Sequence, residues 1–314
     1  MNHQQIQFVP PMAIAIKVIL LLSMWALSPI ATSGVIKEPN PRCYCPVTPN
    51  LVVHATAEDT LIFGKVMATI SATTDRHTAS SEIITKAAKF FLSTPYASHT
   101  LEINHEEALV VNLRGMDCTT FVEYIIAFTL LAGDEGNDFE RFAQLLACIR
   151  YRNGLIEGYP SRLHYFTEWL QNNSQKGILE IVSDQLGSKD FDSHVFFMSS
   201  NPHLYRQLKD TIYLEKIRQI ESKISEYDMR YIPKEQIQGL ENKIQNGDII
   251  AFVTNIKGLD VSHNGFAYFQ NSRLHLLHAS TRKDMVEITP VPLSDYIKPM
   301  QRVTGIIIGR IRDY

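Results

Sequence analysis

Leu113-Arg114-Gly115-Met116-Asp117-Cys118-Thr119-Thr120-Phe121-Val122-Glu123 carries a polar turn straight into an apolar run. Asp117 is a natural N-cap, so Cys118 is placed in the first turn of a helix expected over residues 118–132. A helix N-terminus favours negative charge, and the thiolate is the reactive form of a cysteine. Far downstream stand Ser262-His263-Asn264-Gly265 and Leu277-His278-Ala279-Ser280, with each histidine on an expected strand. A cysteine at a helix start and imidazoles on strands supply the two parts of nucleophilic thiol catalysis, an attacking sulfur and a base.

The two histidines are related through a hairpin. Strands expected at 264–269 and 274–278 flank Gln270-Asn271-Ser272-Arg273. A symmetric even loop sets Gly265 opposite His278, and His263 then lies diagonally from His278 on the same face. That separation is roughly 7–8 Å between Cα atoms, within reach of two imidazoles. His275 falls on the other face. An odd loop exchanges the parts of His275 and His278. In the even register His263 is the base and His278 orients it.

Outward from this hairpin, helices come first and strands later. Ser80 opens a helix that runs through Phe91 with Ile83, Ile84, Ala87 and Ala88 on its apolar face, and Asp138 to Cys148 forms another. Pro202 to Glu226 reads as one amphipathic helix with Leu204, Leu208, Ile212, Ile217, Ile220 and Ile224 on its stripe. Strands follow at 249–253 after Asn246-Gly247-Asp248, within the hairpin, and at 305–312. Helices followed by antiparallel strands give an α+β class.

Composition narrows the partners. The chain has 314 residues, 45% of them hydrophobic, 20% charged, and a formal net charge of -3. It therefore has a globular core and no basic field for nucleic acid. Lys17, the apolar stretch Val18–Leu27 and the small residues Ala31-Thr32-Ser33 follow the order of a secretory signal peptide. Its apolar core spans about 10 residues, against the roughly 20 a membrane span needs. Residues 1–33 are thus expected to be a cleaved signal, 34–79 an irregular N-terminal segment, and 80–314 the main domain. The mature protein is expected to have no membrane span, to be a monomer, and to be periplasmic or secreted. Cys43-Tyr44-Cys45 is too tight for an easy mutual bridge, and no other Cys or His stands at metal-ligand spacing. Cys148 is expected to be a buried helical cysteine.

The set Thr94-Pro95-Tyr96, Asp117-Cys118-Thr119-Thr120-Phe121-Val122, Asn246-Gly247-Asp248, His263-Asn264-Gly265 and His278-Ala279-Ser280-Thr281 resembles the NlpC-type cell-wall cysteine hydrolases. The resemblance implies a papain-like α+β fold and a triad of Cys118, His263 and His278. It also implies that the hydroxyl of Tyr96 points at the active site, and that no metal or organic cofactor is needed. Thr119-Thr120 stand where that family usually has Ser-Gly. The interval from His263 to His278 is longer than is typical, and a segment at about residues 132–245 separates nucleophile from base.

That segment contains Tyr159-Pro160-Ser161-Arg162-Leu163-His164-Tyr165-Phe166. It resembles the N-acetylmuramoyl-L-alanine amidase-like branch of the superfamily. The branch implies cleavage between the lactyl group of muramic acid and L-Ala in peptidoglycan or muropeptides. Tyr96, Asp117, Tyr159, Ser161, Arg162, His164 and Tyr165 are the expected substrate-binding residues. Aromatic rings stack on sugars and Arg162 pairs with carboxylates. The same resemblance leaves a γ-D-glutamyl–diamino-acid endopeptidase and a catalytically silent wall-binding module as alternatives.

Overall fold

The computed structural model describes Cys45, Thr48 and residues 50–72, 78–134 and 136–313. The expected signal peptide and Cys43 lie outside these residues.

A short strand, β1 (Val53–His54), leads into α1 (Ala57–Ser71). Thr56 caps α1 reciprocally with Asp59, and Phe63, Val66 and Ile70 are buried. Residues 34–79 are therefore not irregular throughout. The helix was hidden because its box closes with Asp59 rather than the more familiar Glu or Gln. Next come α2 (Ser80–Phe90), β2 (Leu109–Val110), α3 (Cys118–Ala132) and α4 (Phe139–Arg150). Almost every side chain of α3 beyond its first turn is buried, as expected for a helix that is apolar all round. It packs against α2, α4 and the sheet.

The middle of the chain is built from short pieces: α5 (Phe166–Gln175), β3 (Leu179–Ile181), α6 (Ser183–Leu186), β4 (Lys189–Asp190), α7 (Phe197–Ser200), α8 (Thr211–Ile224), β5 (Arg230–Pro233) and α9 (Ile237–Leu240). The single helix expected over 202–226 is broken. Two 3-10 turns, Pro202–Leu204 and Arg206–Lys209, precede α8, and the Asp210 side chain caps α8 by accepting from the Ile212 N–H. Leu208, Ile217 and Ile224 are buried, whereas Leu204 and Ile212 are exposed.

The last part is a meander: β6 (Ile249–Thr254), β7 (Val261–Gln270), β8 (Arg273–Ser280), β9 (Met285–Ile288), α10 (Leu293–Ile297) and β10 (Val303–Ile311). Among the described residues these strands form an eight-stranded antiparallel sheet in the order β4-β5-β10-β6-β7-β8-β9, with β3 also on β10. The fold is thus mixed helix and antiparallel sheet. Ile249, Ala251, Phe266, Leu277 and Ala279 join the core around the N-terminal helices. Ile250, Phe252, Leu276 and Ile306 face a second core closed by Ile237, Leu293 and Ile297.

One bond reaches across this framework. Cys45 and Cys148 form a disulfide with a sequence separation of 103. Cys148 is buried and helical as expected, and the bridge settles its pairing, which the sequence left open. Two residues so far apart in sequence give no local signal of pairing.

Candidate active site

The loop before Cys118 is held from several sides. The Pro95–Ala97 segment runs beside it, with Met116 N–H donating to Pro95 O and Ala97 N–H to Met116 O. Asp59 of α1 is fully buried, and its carboxylate accepts from Leu113 N–H at 2.8 Å and Arg114 Nε at 3.1 Å. Burial acts to raise the pKa of Asp59, but hydrogen bonds from Thr56, Leu113 and Arg114 outweigh it and hold the carboxyl below its usual range. Asp117 caps α3, accepting from Thr120 N–H at 2.8 Å while its own N–H donates to Thr120 Oγ1 at 3.0 Å. Thr120 thereby completes a capping box.

Cys118 is unbridged and half-buried at the first position of α3. Donor groups of Asn264 and Thr119 near its sulfur favour the thiolate. The Asn264 side chain donates in turn to Thr119 Oγ1 at 3.1 Å. Residue 264 of β7 thus touches α3, and His263 precedes it on the strand, opposite Phe252. Burial and the Asp117 carboxylate push the Cys118 thiol up to about 12, against the pull of these donors. The helix start alone led to an expectation of a thiolate; desolvation leaves a neutral thiol instead.

The hairpin adopts the even register, with Phe266 opposite Leu277 and Ala267 opposite Leu276. His263 Nε2 and His278 Nδ1 lie 2.6 Å apart, with the rings nearly perpendicular at 87°. His275 sits on the opposite face, its Nδ1 2.7 Å from Thr289 O. Gly265 makes the histidine contact possible. A Cβ there would lie 2.7 Å from His278 Cβ and 2.8 Å from Leu277 O, too close for any side chain. Burial pushes His263 down to about 4, and burial with the adjoining His263 pushes His278 down to about 3. Both imidazoles are therefore neutral near neutral pH, as a proton acceptor must be.

Tyr96 bridges to Met116, two residues before Cys118, and burial, Cys118 and Asp117 together push its phenol up to about 12. The other expected binding residues surround a buried ionic cluster. Arg162 contacts Glu102 at 2.9 Å and Glu107 at 3.1 Å, and its guanidinium lies over the Tyr159 ring. It is thus already paired with two carboxylates of this chain. The ring of His164 lies against Tyr159, tilted at 42°, and its Nε2 is 2.9 Å from Tyr159 O. Ser161 Oγ donates to Gly158 O and accepts from Glu157 N–H. Tyr165 is buried, and its hydroxyl joins Glu221 and Met198 N–H inside the α8 core. Sequence reading overlooked Asn264 as a donor near Cys118 and Asp59 as the anchor of its loop. The first lay inside a quoted motif; the second had no local signal.

A family model described as AmiA-like, N-acetylmuramoyl-L-alanine amidase-like, matches residues 86–306. The chain belongs to this amidase-like family. A crystal structure of an N-acetylmuramoyl-L-alanine amidase from Bacteroides uniformis ATCC 8492 is similar, with 37% identity, a TM-score of 0.71, and coverage of 74% of this chain and 99% of that one. A Bacteroides fragilis structure described as a candidate xylanase is 38% identical, with a TM-score of 0.68 and coverage of 71% and 99%. A Legionella pneumophila protein of family DUF1460 is 21% identical, with a TM-score of 0.60 and coverage of 81% and 94%; it shares the fold. No curated protein matches. Among the described residues no helix is long and apolar enough to cross a membrane, and no group of three or more His, Cys, Asp or Glu could hold a metal ion.

Proposed function

We propose that the chain is an exported cysteine amidase, of papain-like NlpC type, that hydrolyses the N-acetylmuramoyl–L-alanine amide of peptidoglycan or muropeptides. The observation that carries this reading is the 2.6 Å contact of His263 with His278, on a strand whose Asn264 side chain donates to Thr119, the residue after Cys118. The amidase-like family supplies the bond class.

In this mechanism Cys118 Sγ attacks the lactyl carbonyl while His263 takes the thiol proton. The neutral thiol and neutral imidazoles mean that the proton moves as the C–S bond forms, rather than from a resting ion pair. The Cys118 backbone N–H at the start of α3 is placed to stabilise the oxyanion, with Tyr96 beside it. His263 returns the proton to the departing amine of L-Ala, leaving a thioester. Water, activated by the same imidazole, hydrolyses the thioester and restores Cys118.

Export is supported by the Lys17-led apolar segment and by the Cys45–Cys148 bridge, a bond of oxidising compartments. A periplasmic or secreted protein without its first 33 residues is the form expected to act. Because Arg162 is already paired, a stem-peptide carboxylate would have to compete with Glu102, the more exposed of its two partners.

The test is product analysis with purified muropeptides and mass spectrometry. Release of a peptide beginning at L-Ala, abolished in Cys118→Ala, supports the reading. Cleavage between D-Glu and the diamino acid hands it to the endopeptidase. Full turnover by Cys118→Ala ends the thiol mechanism.

A further inference from the structure

The histidine pair continues to a third group. His278 Nε2 is buried and has no hydrogen-bond partner among the described residues. The nearest charge is the Glu287 carboxylate, 3.8 Å away. Glu287 stands directly opposite His278 in the β8–β9 register, so the two side chains share a face. It is mostly shielded, with 17% of its side chain exposed. His278 also makes ring contacts with His263 and Tyr296, and Arg282 lies over the Tyr296 ring at 5.7 Å.

Proton placement gives this contact a direction. A general base at His263 needs a bare Nδ1 toward the thiol, so its proton must sit on Nε2. That proton is donated to His278 Nδ1, the atom 2.6 Å away. His278 must then carry its own proton on Nε2, the atom that faces Glu287. The two rings share one tautomeric register: if the His278 proton moves to Nδ1, His263 is forced to carry its proton on Nδ1 and loses its basic lone pair toward Cys118. A carboxylate facing His278 Nε2 selects the working register. It also stabilises the positive charge that appears on His263 when the thiol proton is taken.

We propose that Glu287 is a positioning residue that locks the tautomers of His278 and His263 and supports the imidazolium formed during attack. This rests on the thiol-amidase reading above. During the step the thiol proton passes to His263 Nδ1, while the Nε2 protons of both histidines stay in place. Glu287 accepts no proton, and the amine leaving group later recovers the one held by His263.

The experiment compares wild type with Glu287→Gln and Glu287→Leu in the full chain. Gln keeps an acceptor and loses the charge; Leu loses both. For Glu287→Leu we expect kcat on a muramoyl peptide to fall roughly ten- to a hundredfold, the factor for a lost charge-assisted contact, with KM unchanged. Glu287→Gln should recover part of the loss. Independently of turnover, 15N NMR of the imidazoles should show Nε2–H on His278 in wild type and a shift toward Nδ1–H in Glu287→Leu. An unchanged His278 tautomer in Glu287→Leu overturns the proposal whatever kcat does, and an unchanged kcat overturns it as well. If wild type neither turns over substrate nor reacts with iodoacetamide at Cys118, the amidase reading fails, and the NMR comparison still decides the role of Glu287.

Discussion

Replacing Gly265 with alanine tests whether a single missing side chain holds the site together. The new Cβ would lie 2.7 Å from His278 Cβ and 2.8 Å from Leu277 O. Ordinary carbon contacts sit at about 3.5–4.0 Å, so His278 or its strand must retreat by roughly 1 Å. Overpacking of this kind costs about 1–3 kcal/mol. With about 2–4 °C of melting temperature per kcal/mol in a protein of this size, the loss is roughly 2–12 °C. The catalytic cost should be larger than the stability cost implies. A displacement near 1 Å breaks the 2.6 Å histidine contact, and misplacements on that scale can cost on the order of a hundredfold in rate. The assay is kcat at 20 °C, where the variant is still folded, alongside a thermal melt. Because Gly265 is argued to act through His278, the double variant Gly265→Ala/His278→Ala should be no slower than His278→Ala alone. Additive losses in the double variant, or wild-type turnover in Gly265→Ala, would refute this account.

Other outcomes follow from the same framework. Glu123 and Arg150 form a buried pair at 2.6 Å, so Glu123→Gln should cost about 3–5 kcal/mol by urea denaturation, while Glu123→Gln/Arg150→Met should recover part of it. The Cys45–Cys148 bridge closes a loop of 103 residues, which chain entropy values at about 4–5 kcal/mol, so Cys148→Ala or reductant should lower the melting temperature by roughly 10–20 °C. His263 is pushed down to about 4 and His278 to about 3, so the unfolded chain binds more protons than the folded one below the ordinary histidine range near 6.5. Stability from these groups is full above that range and is lost as pH falls toward 4 and 3. The acid limb of kcat/KM should likewise fall near pH 4; a limb near 6.5 would show that His263 is not desolvated.

The parts of the site legible in the sequence were those with a short period. Asp117 and the apolar run after Cys118 define a helix start, and α3 begins at Cys118. Strand alternation and an even loop set the hairpin register, and Phe266 does pair with Leu277. What escaped notice was long-range. Asp59 reaches Leu113 across 54 residues, and Cys45 reaches Cys148 across 103. The continuous apolar stripe over 202–226 concealed the two turns ahead of α8, because periodicity registers a face and not its interruptions. Arg162 was legible as a charge in an aromatic segment, but its pairing with Glu102 and Glu107 depends on a loop about 60 residues earlier.

The place of β10 in the sheet bears on when the molecule can assemble. Residues 303–311 form an interior strand that bonds β6 on one side and β5 and β3 on the other. Until the ribosome has made them, β6 has no neighbour on that flank, and the strands on either side of the gap cannot join. The helical half and the β6–β9 meander can form early from nearby residues, whereas closure of the sheet waits for residues 303–311. Such late, non-local pairing is slow. It leaves a window in which the nascent chain remains open.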